Sequence, residues 1–174
     1  MRSIFEDILT VAKEKFPEIL HVNKWGNQVQ MILEGEYQMI ELPAMFIELV
    51  SPMTINQLGD GVQIYDPLYI RLHLVHSFYN EYLNEDEFSA MERNLEIFDL
   101  KQKMYLAFER FRLSGGGGVM NRTSEDEEVI DTLCHYTQEF TTTFVDTSKT
   151  TSEQGDEIYI DDAELTTTIK PTLE

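Results

Sequence analysis

The residue types in this sequence that could do chemistry lie in a few short stretches. His73 and His76 are close enough to suggest a shared metal, but they fall within residues 62–78, where apolar and polar residues alternate. Three positions apart on a strand, two side chains leave opposite faces, so these histidines are expected to serve separately, as structural or surface groups. Cys134 beside His135 has the composition of a nucleophile and its base. Neighbours on a strand also diverge, and Cys134 is expected in the core with an inert thiol. The four glycines 115–118 follow a helical stretch rather than a strand, and no Gly-Lys-Ser/Thr comes after them. That removes a phosphate-cradling loop and leaves a flexible hinge. The acidic clusters at 125–128 and 156–162 lack the Asp-x-Asp-x-Asp-Gly order and closing Glu that surround a calcium ion, so they read as solvated linker. Glu41 and Glu48 are the carboxylates nearest an apolar run, the setting that raises a carboxyl pKa. No catalytic, metal-ligating or cofactor-binding residue is expected, no cofactor is implied, and the chain reads as a non-enzyme. Trp25, the single tryptophan, stands in a polar turn and is a candidate interface anchor or a partial core cap.

The elements that must position these residues follow from periodicity. Ile4, Ile8, Val11, Ala12 and Phe16 recur at helical spacing over about residues 3–16, and Pro17 stops the pattern. Two short extended segments, 28–33 and 37–42, are expected to form a hairpin about Glu34-Gly35-Glu36. The apolar run 44–50, bounded by Pro43 and Pro52, predicts a mostly buried strand, and 51–61 a long loop. In the strand that follows, Leu68, Ile70, Leu72, Leu74 and His76 share one face, with Tyr69, Arg71, His73, Val75 and Ser77 on the other. Ile97, Phe98, Leu100, Met104, Phe108 and Phe111 predict a broad apolar stripe on a helix over about 90–112. Leu133–Asp146 reads as a strand with Cys134, Tyr136, Phe140 and Phe144 on its dry side. The two helices are expected to lie on the strands bearing Phe46, Ile70, Leu72, Leu74, Tyr136, Phe140 and Phe144. Residues 114–131 are expected as a flexible Gly-rich acidic insertion in a domain spanning 1–146, and 147–174 as a disordered or partner-ordered acidic tail.

Charge narrows the class. The chain carries 32 acidic against 13 basic residues, a formal net charge of −19, and residues 123–174 hold 14 Asp/Glu against two Lys. Such a surface repels phosphates, because nucleic-acid binding by counterion release needs clustered cations, and specific nucleic-acid binding is not expected. No apolar run is long enough for a membrane helix, a lone cysteine forms no internal disulfide, and synthesis in the cytosol is the simplest expectation.

The order of elements, together with particular segments, resembles the tail terminator, or tail completion, proteins of long-tailed bacteriophages and their related neck proteins. The segments are Leu42-Pro43-Ala44-Met45-Phe46-Ile47-Glu48, Gly59-Asp60-Gly61-Val62-Gln63, residues 68–76, Asn94-Leu95-Glu96-Ile97-Phe98-Asp99-Leu100, and Phe140-Thr141-Thr142-Thr143-Phe144-Val145-Asp146. The likeness spans about residues 3–146. It implies a single α+β domain with a mixed or antiparallel sheet of about four to five strands and two helices packed on it. It further implies a homo-oligomeric ring, a hexamer, that caps the tail tube protein and joins it to the head–tail connector or neck protein, within the virion and assembled in the host cytoplasm. An acidic lumen would let DNA slide without sticking. Glu81, Glu85, Asp86 and Glu87 are candidate lumen-facing residues, and Trp25, Ile158, Tyr159 and Ile160 candidate interface residues. The competing reading is an acidic DNA-mimic or inhibitor module that occupies a nucleic-acid site on a host protein.

Overall fold

The computed structural model describes residues 1–35, 40–59, 61–77 and 87–147, with the backbone alone for 87–94. It is a mixed α+β fold, with a six-stranded sheet and three helices among the described residues. The elements are α1 (Arg2–Lys15), β1 (His21–Lys24), α2 (Gln28–Leu33), β2 (Ala44–Leu49), β3 (Ile55–Gln57), β4 (Gln63–Ser77), α3 (Glu87–Phe108), β5 (Asn121–Ile130) and β6 (Leu133–Asp146). The sheet runs β1-β2-β4-β6-β5, with β3 pairing beside β2 on the start of β4. Only β1 and β2 are parallel.

The alternation along β4 and β6 divides the sheet into two faces. On one, Ile4, Ile8, Ala12 and Phe16 of the α1 region and Ile97, Leu100, Met104 and Phe108 of α3 bury against Met45, Ile47, Leu72, Leu74, Tyr136 and Phe140. Ring contacts tie this core together, Phe108 stacking on Phe16 at 6.0 Å and meeting Phe140 edge-on at 6.3 Å. On the other face, Val29 of α2 closes a smaller cluster with Ala44, Phe46, Val75 and Leu133. Phe46 therefore belongs to this second cluster and not beneath α1 and α3.

Several expectations are corrected. Residues 28–33 are helical rather than half of a hairpin. Val29, Ile32 and Leu33 stand at i, i+3, i+4 and turn one apolar edge to the Phe46 cluster, after Asn27 enters the helix at φ 64°. Of the partner segment, 36–39 lie outside the described residues, and Ile40 to Leu42 form no strand. The expected 51–61 loop contains β3. Residues 121–130, expected as linker, form β5, an antiparallel partner of β6 along its length. The strand buries little and is held by the backbone ladder, while Arg122–Glu125 and Lys101–Glu127 pairs at 2.7 Å offset part of its charge.

The glycine run is a tight turn fastened to β6. Leu113 N–H donates to Gly118 O, Gly118 N–H to Thr143 O at 2.7 Å and Val145 N–H to Gly116 O. Gly116 sits at φ 88°, and a Cβ on Gly117 would fall 2.2 Å from that of Leu113, so side chains are excluded at both positions.

Phe98, expected in the core, is 58% exposed. The broad α3 stripe is in fact two. Ile97, Leu100, Met104 and Phe108 face the sheet, whereas Leu95, Phe98 and Leu106 are exposed and fall within about 80° of helix rotation on the opposite side.

Candidate functional site

The second sheet face carries a polar cluster built by register. Glu48 of β2 pairs with Arg71 of β4, which pairs with Glu139 of β6, which pairs with Ser124 of β5, giving one row across four strands. In the next row His73 lies between Phe46 and Thr137, with Asp126 beyond; in the third, His135 lies between Val75 and Glu128. Because period two is shared by all four strands, these side chains emerge on one face.

Trp25 roofs the cluster. Its backbone amide donates to Ile47 O at 2.8 Å, and the turn that carries it is clamped by the buried Gln28 side chain, which donates to Lys24 O and accepts from Gly26 N–H. The indole stacks on His73 at 3.8 Å and 4°, lies over His135 at 5.4 Å and 10°, and meets Phe46 edge-on. The sequence-based alternatives for Trp25 thus resolve in part toward a cap over a small core.

Beneath the indole runs a hydrogen-bond chain. Arg71 bridges the Glu48 and Glu139 carboxylates at 3.2 and 2.8 Å. His73 Nε2 is 3.1 Å from Glu48 Oε2, and His73 Nδ1 is 3.0 Å from His135 Nε2. A carboxylate only accepts, so an uncharged His73 donates Nε2–H to Glu48. His73 Nδ1 must then accept from His135 Nε2–H, leaving His135 Nδ1 as an acceptor with no hydrogen-bond partner among the described residues. Burial, reinforced by His135 and Arg71, pushes the His73 pKa down to about 3. Burial also lowers that of His135 against the opposing pull of Glu128 and Asp126. Both rings are therefore neutral near pH 7, and the His73–Glu48 contact is a hydrogen bond from a neutral imidazole to a carboxylate rather than an ion pair.

Trp25, Glu48, Arg71, His73, His135, Thr137, Ser124, Asp126 and Glu128 line a cleft of about 360 Å³. Glu48 and Glu139 share Arg71, while Asp126 and Glu128 form no ion pair among the described residues, so the cleft is electronegative. Its chemistry suits holding a hydrogen-bond donor or a cation. No hydroxyl donates to either imidazole among the described residues, and no three His, Cys, Asp or Glu groups there are placed to hold a metal ion.

His73 and His76 do leave opposite faces, as do Cys134 and His135. Cys134 is buried, and its thiol pKa is pushed up to about 12 by burial and by Glu127. Sequence reasoning missed the pairing that matters, His73 with His135, 62 residues apart. Both stand on the wet side of an alternating strand, but their meeting depends on a β4–β6 register that neither strand states. Glu81, Glu85, Asp86, Ile158, Tyr159 and Ile160 lie outside the described residues, and Glu87 opens α3 with only its backbone described. Among the described residues no helix is long and apolar enough to cross a membrane.

A scan against protein-family models finds no match, and a search of curated proteins finds none either.

Proposed function

We propose that this chain is a ring-forming structural protein of a phage virion, a tail terminator that caps the tail tube and joins it to the neck. The observation that carries the reading is the second apolar stripe of α3. Leu95 and Leu106, 47% and 68% exposed, lie on the side of the helix turned away from the sheet, and Phe98, 58% exposed, flanks them at the rim of the cleft between α3 and β5. A helix apolar on two opposite sides is suited to a covering layer, which neighbouring subunits would supply. Other apolar groups, Leu20, Ile55 and Leu58, stand exposed on different elements, so unlike patches are available for the head-to-tail contact that closes a ring. A net charge of −19 supplies the repulsion from phosphates that a DNA conduit needs.

Size-exclusion chromatography with light scattering on the full chain is expected to give a closed ring of about six copies, and Leu95→Ser with Leu106→Ser to dissociate it. Electron microscopy of tail tubes mixed with the ring should show capped ends. A monomer that leaves tube ends bare would overturn the reading, and if it instead bound a host nucleic-acid-binding protein it would favour the DNA-mimic alternative.

A further inference from the structure

We propose that β5 is a docking edge for an extended basic segment of a partner protein, added to the sheet as a further antiparallel or parallel strand. Among the described residues only β6 pairs with β5, and nine of its ten residues are exposed. The amide of Arg122 is already taken by the Glu109 carboxylate at 2.8 Å, so the open backbone donors and acceptors are those of the alternate residues between Ser124 and Ile130 that face away from β6.

The alternating side chains of that run open into two different clefts. Ser124, Asp126 and Glu128 border the Trp25–His73–His135 cleft. Glu125 and Glu127 border a second cleft of about 380 Å³ against α3, lined also by Lys101, Tyr105, Tyr136 and Gln138. The two clefts call for different side chains. In the first, Asp126 and Glu128 have no cationic partner among the described residues, His135 Nδ1 is a free acceptor, and the Trp25 ring forms a wall, a setting for a Lys or Arg head group. In the second, Glu125 and Glu127 are already paired with Arg122 and Lys101, so a further cation gains little.

The second cleft instead lacks a donor. Gln138 is 1% exposed, its Nε2 donates to Lys101 O and Tyr136 OH, and its Oε1 has no partner. Because the Lys101 carbonyl can only accept, the amide orientation is fixed and the orphan is the oxygen. A buried acceptor without a donor is unfavourable, and a neutral N–H or O–H side chain entering the cleft would satisfy it. The segment that fits is a strand with Lys or Arg at alternate positions and donor-bearing polar residues between them.

A second copy of this chain is a poor occupant, since β5 laid against β5 would oppose the acidic runs 125–128 of both copies. The acidic 147–174 segment is excluded on the same ground. The proposal does not depend on ring formation, because Trp25 emission and the exchange of β5 amides report binding whether or not the chain assembles.

The test uses the full chain and two blocked synthetic peptides of equal charge, one alternating (Lys-Thr)₅ and one in blocks, Lys₅Thr₅. Trp25 fluorescence and calorimetry report affinity, and hydrogen exchange reports the amides of 124–130. The alternating peptide is expected to bind more tightly, to shift Trp25 emission and to protect β5. Asp126→Lys with Glu128→Lys should weaken it about tenfold or more, whereas Glu6→Lys with Glu14→Lys, the same charge change on α1, should not. Equal affinity for both peptides, or an equal loss from the α1 variant, would reduce the effect to net charge and overturn the proposal. Concentration-dependent self-association that protects β5 without peptide would also overturn it, in favour of a second copy.

Discussion

Phe98 and Phe108 are the same residue type on the same helix, and the structure assigns them opposite energetic roles. Phe108 is fully buried, stacked on Phe16 with rings 7° from parallel and edge-on to Phe111 and Phe140 at 6.3 Å each. Truncation to alanine removes its transfer free energy and leaves a void between α1, α3 and β6 that the rigid sheet cannot close. The expected loss is about 3–5 kcal/mol. With roughly 2–4 °C per kcal/mol for a chain of this size, that corresponds to a fall in Tm of about 6–20 °C. Phe98→Ala removes a ring that is 58% exposed and is expected to change stability by less than about 1 kcal/mol in the dissociated subunit. Both variants would be unfolded in urea under dilute conditions that favour the single subunit, followed by far-ultraviolet circular dichroism. In the proposed ring the order would change, because Phe98 lies in the stripe proposed to meet a neighbour, and Phe98→Ala should then lower assembly without lowering subunit stability. Equal destabilisation by the two substitutions in the dissociated subunit, or an unchanged midpoint for Phe108→Ala, would refute the assignment of two opposed stripes on α3.

Two further outcomes follow from the titrating groups. His73 has a folded pKa of about 3 against an ordinary value near 6.5, so between those limits the unfolded chain binds a proton that the folded one does not. The stability it contributes is full above about pH 6.5 and lost as pH falls toward 3; His73→Gln should flatten the decline of the urea midpoint between pH 7 and 5, and parallel curves for variant and wild type would contradict this. Cys134, with its thiol raised to about 12 and buried beside Glu127, should react with Ellman's reagent several orders of magnitude more slowly in the native protein than in urea, as read by absorbance at 412 nm.

What the sequence made legible was decided by burial on one side. α1, β4 and β6 place most of their apolar residues on one face at a single period, and their limits and facing are readable to within a residue or two, whereas β2 is apolar on both faces, so its limits were legible but not that Phe46 turns away from α1 and α3. α2 was misread because a six-residue window contains too few turns to separate a spacing of three or four from a spacing of two. β5 was illegible for a different reason: it buries almost nothing, so its pattern carries no hydrophobic signal, and its pairing is written in the backbone of β6. The α3 stripe misled because two apolar sides sum to an apparently broad one. The Glu48–His73–His135 chain depends on register between strands far apart in sequence, although each histidine's face was readable.

The β4–β6 ladder has a consequence for how the chain reaches this state. It joins Ser77 to Leu133 at one end and Gln63 to Asp146 at the other, segments separated by 56 to 83 positions. The β5–β6 hairpin, by contrast, closes through Asp131-Thr132 alone, with Asp131 at φ 55°. Closing a two-residue loop is fast, whereas bringing β4 to β6 restricts more than fifty intervening residues before any contact compensates. The hairpin is thus the piece with the small closure cost, and pairing β4 with β6 carries the larger one. That pairing also brings His73 to His135, so the polar cluster under Trp25 exists only where the long-range ladder is closed.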